Sequence, residues 1–542
     1  MLKSTSPLIL LLLSALAAHA QTAAARPDFR GPLPVLNNDY PLGAADHYTS
    51  PMDLKGLNYV EEEFIVSGNA NVYKWAADNA TLEVETPNAP YVNRILVRRP
   101  DDRFAFSGTV IIEMFNTARR FDWPMIWGYS ADHFIRNGDM WIGVSGPNSV
   151  AGLKEFNPER YGELSFANPL AGQACPGSDR MRGEMENGLK WDMMAQIAGW
   201  VKSDAIQELM PNFDVQRVFL TSQNPEMETY INSFHDRWRT EDEGPLYDGY
   251  YVKSPGAPAP INDCTPNFAA NDPRRQLKDV DVPVMEVLAQ GEVLNTYWNR
   301  KEDSDDKSGR FRRYEVAVAA HIDSEPYRAM PSREDQIKAV GHAQGTEEFP
   351  FDVTCMPPIP LQKLPLLKFV MNSAFYNLER WVHYRIRPPY AERITVQNPG
   401  ADNASLVLTD LGIAEGGVRS PYSEAPTAKY TTTTGGPGVC RELGSTDRLT
   451  DEEVAMRYGS LEKYDHAKSQ AANRMVAERF IVNEDVGEMM TDVLVGEPPP
   501  PPAGRGGRGG RGGFGGRGGF GGRGGRGGRG GANQQNDQQD DQ

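Results

Sequence analysis

Short, largely apolar runs rich in β-formers recur along this chain, and most are too short to be helices. They are residues 94–97 (RILV), 109–114 (TVIIEM), 140–144 (MWIGV), 217–220 (RVFL), 249–252 (GYYV), 282–288 (VPVMEVL) and 314–318 (YEVAV). Runs that do not alternate with polar residues predict strands buried on both faces. Between them, residues 123–136, 191–210 and 226–237 space their apolar side chains as amphipathic helices do. Buried strands alternating with helices predict an α/β body with a mostly parallel central sheet and helices on both faces. In such sheets, ligands bind beyond the carboxyl ends of the strands, so the residues just after each run are the first places to look for chemistry.

Three of those strand ends carry complementary groups. Thr221, Ser222 and Gln223 follow RVFL; Ala289, Gln290, Gly291 and Glu292 follow VPVMEVL; His321 and Asp323 come soon after YEVAV. A hydroxyl, a carboxylate and an imidazole thus appear in the order Ser, acid, His, which is the order of an α/β-hydrolase triad. The hydroxyl becomes a nucleophile when His accepts its proton, and the acid orients and charge-stabilises the imidazole. Ser222, His321 and Glu292 are the expected catalytic residues. Backbone N–H groups of Gln223, Asn116 and Thr117 are the expected oxyanion hole, since Asn116 and Thr117 follow the TVIIEM strand.

The turn at Ser222 departs from the usual chemistry. A nucleophile elbow reads G-x-S-x-G because the bend is tight and strained, yet here Leu220 and Asn224 flank the serine. Other candidates have simpler readings. Ser145 follows a strand too early in the sheet to be the nucleophile. Glu286 lies within an apolar strand run, as a buried paired acid or an edge residue. Asp303, Asp305 and Asp306 read as a solvated acidic loop, Arg119, Arg120 and Asp122 as charges that line a pocket mouth or, more simply, are solvated, and His342 as a structural or exposed loop residue. Asp323 is a candidate for orienting the loop that carries His321.

Several stretches together resemble a bacterial family of alpha/beta-hydrolase-domain proteins with exported members. They are PYVNRILVRRP (90–100), VIIEMFN (110–116), WIGVS (141–145), GLKEFNPERYG (152–162), TYIN (229–232), VAAHID (318–323), ERWV (379–382) and LGST (443–446). The similarity runs from Val60 to Met490. It implies an α/β-hydrolase fold and a serine hydrolase of esters or related acyl compounds, with His321 at the histidine position and Glu292 at the acid position. At the nucleophile the chain is about three residues shorter than the family pattern. Matching the S-Q pair assigns Ser222; matching outward from the strand puts Ser222 at the first glycine and Asn224 at the nucleophile; matching back from the helix selects Thr221.

The ends of the chain carry other signals. Lys3, the apolar stretch 7–16 and Ala18-His19-Ala20 read as a cleaved signal peptide over residues 1–20, too short in its apolar part for the ~20 residues of a membrane span. The expected location is therefore exported, periplasmic or extracellular, with no transmembrane segment in the mature chain. Residues 21–495 form the expected hydrolase domain. Residues 496–542 form a Pro-rich linker and, from Gly504 on, a disordered Gly/Arg-rich tail whose seven arginines and three aspartates give that tail a net charge of +4. Arg-Gly-Gly repeats of this kind suit polyanion contact, whereas the net charge of −17 over the whole chain disfavours broad nucleic-acid binding by the body. Export makes disulfides permissible among Cys175, Cys264, Cys355 and Cys440, in any of three pairings. No metal or organic cofactor is indicated, and the expected partner of the site is a small ester or acyl compound.

Overall fold

The apolar runs become the strands of one large sheet. The structure, a computed structural model, describes residues 22–491 apart from 37, 224, 257, 270–271, 344–355, 357–359 and 436–437. The signal-peptide and tail expectations lie outside these residues. Among the described residues the central sheet has nine strands. They are β1 (Asp28–Arg30), β2 (Tyr59–Trp75), β3 (Leu82–Pro100), β4 (Thr109–Met114), β5 (Met140–Val144), β6 (Arg217–Ser222), β7 (Gly249–Lys253), β8 (Val284–Ala289) and β9 (Phe311–Val316). Their spatial order is β9-β8-β7-β6-β4-β5-β3-β2-β1. The six strands from β4 to β9 pair in parallel and are buried along their whole length, which is why their sequences are mostly apolar and their charged residues, such as Glu286 and Arg313, are paired.

The antiparallel end of the sheet is the part that the apolar runs announce least. β2 and β3 form a long hairpin with a register irregularity between Ala70 and Val72. Its polar positions escape the apolar pattern because they pair inside the structure: Glu61 takes the Arg98 guanidinium at 2.8 Å and Glu63 takes that of Arg94 at 2.7 Å. Arg98 also lies over the rings of Trp127 and Trp141, at 4.6 and 4.7 Å, so it packs as an aromatic-sandwiched cation.

Helices cover the sheet. The ones used below are α1 (Met125–Asn137), α2 (Lys190–Val201), α3 (Glu226–Ser233) and α4 (Lys368–Tyr384). α1 starts where the buried Glu113 carboxylate accepts the Ile126 and Trp127 amides at 2.8 and 2.9 Å, satisfying two otherwise unpaired N–H groups. It ends at Gly138, whose φ of +80° and contact with Ala105 O leave no room for a Cβ. No helix among the described residues is long and apolar enough to cross a membrane. Cys175 and Cys264 form a disulfide, which selects one of the three pairings; Cys440 is also disulfide-bonded, and Cys355 falls outside the described residues.

Candidate functional site

The acid and the histidine come together at the carboxyl edge of the sheet. Glu292 ends a short turn directly after β8, and its Oε2 accepts the Ala289 amide at 2.7 Å. His321 follows β9 on a loop stitched to that turn. Gly291 donates its amide to Ala319 O at 3.1 Å, and Gln290 Oε1 accepts the Val318 amide at 2.9 Å. Val318 holds a φ of +64°, a costly conformation for a β-branched residue, which the surrounding bonds enforce. The result is a contact of 2.5 Å between His321 Nδ1 and Glu292 Oε1. The acid is buried, while the His321 side chain is 44 % exposed. With Nδ1 engaged by the carboxylate, Nε2 is the nitrogen left to exchange a proton.

The carboxylate is held ionised. Burial alone raises its proton affinity, but Lys253, His321 and Ser254 outweigh that and bring its pKa down to about 2. Lys253 and Ser254 are functional neighbours that the sequence reading missed. Lys253 Nζ donates to both Glu292 oxygens at 3.1 Å and to His321 O at 3.2 Å, and Ser254 Oγ bonds Glu292 Oε1. The signal was available: both residues directly follow the GYYV run, at the carboxyl end of a parallel strand.

Ser222 is placed differently. It is the last residue of β6, its backbone is paired with Val252, and it is 0 % exposed. Its hydroxyl donates to Met114 O at 2.7 Å. Its proton is therefore spent on a neighbouring strand, and among the described residues no hydrogen bond joins it to His321. A nucleophile on an elbow sits past the strand on a strained bend, and Ser222 still sits in the strand. Thr221 is also buried in β6, with its hydroxyl unpaired. Asn224 lies outside the described residues.

The expected oxyanion loop is only partly free. The Asn116 N–H is bonded to Trp123 O at 3.2 Å, so it is not available to an oxyanion, and this corrects its assignment. The Asn116 side chain instead donates to Gln223 O at 2.8 Å, tying the loop after β4 to the end of β6. Thr117 lines a small cavity with Met114, Val144, Ser145 and Met193. A larger cleft of about 470 Å³ adjoins it, the two sharing Asn148, Lys190 and Glu226. Lys190 on α2 and Glu226 on α3 are paired at 2.9 Å where the cavities meet. Arg180, Asn187 and Asp263 line the larger cleft, which gives it a polar wall of mixed charge.

The rival candidates resolve into structural roles. Ser145 is buried against Asp122 and accepts from Arg94 Nε at 2.9 Å, in a network with Glu63 and Tyr161. Asp122 is accordingly buried rather than solvated, because Arg94 neutralises it at 2.9 Å. Arg119 likewise pairs with Glu442 at 2.8 Å and lies over the Trp123 ring. Two of the three acidic-loop residues are not solvated either, since Asp303 takes Arg393 at 2.6 Å and Asp305 takes Arg312 at 2.5 Å, whereas Asp306 is exposed. Glu286 is buried with Arg313 at 3.6 Å. Asp323 accepts the amides of Leu367 and Lys368 at 3.0 and 3.3 Å and so anchors the start of α4 beneath the His321 loop. Burial, and then Glu325, raise its pKa to about 7. His342 is exposed. Among the described residues no cluster of His, Cys, Asp and Glu is arranged to hold a metal ion.

The family comparison agrees with this architecture. A family model described as "Alpha/beta hydrolase domain" matches residues 29–491. Solved structures similar to this chain include an alpha-beta serine hydrolase homologue from Coxiella burnetii, at 9 % identity and TM-score 0.21, covering 43 % of this chain and 85 % of that one. An S-formylglutathione hydrolase from Agrobacterium tumefaciens matches at 10 % identity and TM-score 0.23, covering 47 % and 87 %. Esterase B from Lactobacillus rhamnosis matches at 11 % identity and TM-score 0.23, covering 46 % and 74 %. Similarity this low bears on no residue's role. Among curated proteins, none matches.

Proposed function

We propose that this chain, which belongs to the alpha/beta hydrolase domain family, is a hydrolase of carboxylic esters or related acyl compounds with Glu292 and His321 as its acid–base pair. The observation that supports this most is the 2.5 Å Nδ1–Oε1 contact at the carboxyl edge of the sheet, with an ionised, buried acid behind an exposed ring. In this reading Nε2 takes the proton of an attacking hydroxyl as the C–O bond to the acyl carbon forms. Nε2–H then passes that proton to the leaving alkoxide as the ester bond breaks. The attacking group is Ser222 Oγ, once it releases Met114 O. Gln223 and Thr117 N–H groups are the oxyanion donors. Water then attacks the acyl-serine by the same proton relay.

A second reading has its own observation. Ser222 is paired within β6 and bonded to Met114 O, which favours a hydrolase scaffold that binds an acyl ligand without cleaving it. A fluorophosphonate probe and a p-nitrophenyl ester separate the two. Labelling and turnover that are both lost in Ser222→Ala support the hydrolase. An intact, folded protein that neither labels nor turns over supports the binder.

Export is part of the proposal, supported by the N-terminal sequence and by the Cys175–Cys264 disulfide, which suits an oxidising compartment. The Arg-rich tail is proposed to touch polyanions. Heparin binding that is unchanged after truncation at Val495 would refute that.

A further inference from the structure

β7 ends at Lys253 and Ser254 follows it, and the proposed reaction consumes neither. Lys253 is fully buried, yet its ammonium reaches both Glu292 oxygens, the backbone oxygen of His321 and Ser254 Oγ. Ser254 in turn bonds Glu292 Oε1 from a backbone at φ +56°, outside the usual range for serine. Burying an ammonium costs several kcal/mol unless its partners are well placed. Here one nitrogen links the acid turn after β8 to the main chain of the loop after β9.

We infer that Lys253 is a positioning residue, whose ammonium locks the Glu292 carboxylate and the His321 loop in the one register that makes the Nδ1–Oε1 contact. The inference rests on the acid–base reading of His321 given above. Lys253 does not touch the ring; it acts through the carboxylate and the loop backbone. The other groups that face Glu292 are Ser254 beside it, the Ala289 amide of its own turn, the His321 ring and the Tyr129 phenol from α1, with Asp323 near the ammonium. Without the ammonium the acid keeps hydrogen-bond donors but loses a full positive charge. It then binds a proton at higher pH, and the loop loses its tether.

The test uses the full chain labelled with ¹⁵N-histidine. The Nδ1–H signal of His321 is assigned by its absence in His321→Asn. In the wild type this signal is expected far downfield and present down to about pH 3. In Lys253→Met it is expected to vanish or to be lost at clearly higher pH. kcat for p-nitrophenyl acetate is expected to fall about 10- to 100-fold, with KM within about twofold. Lys253→Arg is expected to restore part of both. Where Lys253→Met fails to fold, Lys253→Gln, of similar length and neutral, must show the same direction of change. A folded neutral variant whose signal is unchanged and persists down to the same pH overturns the inference. Absent wild-type turnover refutes the hydrolase reading, while the proton signal still decides whether Lys253 positions the pair.

Discussion

Replacing Glu292 by Gln tests the charge at the centre of the site. The carboxylate is buried, and its pKa falls from an ordinary value near 4.5 to about 2. At about 1.4 kcal/mol per pH unit, that depression corresponds to about 3 kcal/mol of folding stability. Because the folded pKa is the lower one, this contribution is fully present above about pH 4.5 and disappears as pH falls through about 2. At pH 7 Glu292→Gln is therefore expected to lose at least this amount, and up to the ~3–5 kcal/mol typical of a broken buried pair, because Lys253 is left as an unneutralised buried cation. The assay is urea unfolding of both proteins from pH 7 to pH 2. Other carboxyl groups titrate in this range, but both proteins carry them, so the gap between the two curves isolates Glu292. It is expected to narrow by about 3 kcal/mol between about pH 5 and pH 2. A gap that stays constant with pH would mean that Glu292 is not held ionised in the way the contacts to Lys253, Ser254 and His321 imply.

Ser222→Ala removes one buried hydrogen bond to Met114 O, so unfolding is expected to show a loss of about 1 kcal/mol; if Ser222 is the nucleophile, the same variant loses ester turnover by several orders of magnitude. Asp139 is buried, and burial followed by the charge of Glu379 raises its pKa to about 8. A carboxyl with a raised folded pKa loses its stabilising contribution as pH rises, so Asp139→Asn is expected to gain on the wild type between about pH 4 and pH 8, by on the order of 5 kcal/mol; parallel unfolding curves across that range would refute this. The Cys175–Cys264 bond closes a loop with a sequence separation of 89, and Cys175→Ala/Cys264→Ala is expected to cost up to about 4–5 kcal/mol by the loop-entropy argument, read as a lower midpoint in urea.

The parts of the molecule that were legible in the sequence share one physical property. β4 and β5 lie on the residues where their apolar runs predicted them, because both their faces are buried and every position had to be apolar or paired. The long hairpin of β2 and β3 was legible only at RILV, since its glutamates and arginines neutralise one another inside the structure and look polar when read singly. The same blindness turned Asp122, Asp303 and Asp305 into solvated residues on paper, since their arginine partners Arg94, Arg393 and Arg312 lie on other elements. At the site, Glu292 and His321 were legible from strand ends and chain order, and their contact follows from neighbouring strands β8 and β9 pairing in parallel. Lys253 was not, because a lysine after an apolar run ordinarily marks a solvated strand end. The shortened bend left three registers open. Ser222 is still paired in β6, and the register counted outward from the strand is the one that keeps it there, at the first glycine of the family pattern. In that register the Ser222 hydroxyl is held at Met114 O, and reaching His321 requires it to give up that bond. Turnover by Ser222 and a permanent Ser222–Met114 bond are then mutually exclusive, so a phosphonyl adduct trapped on Ser222 Oγ and located by mass spectrometry bears directly on which reading of the site holds.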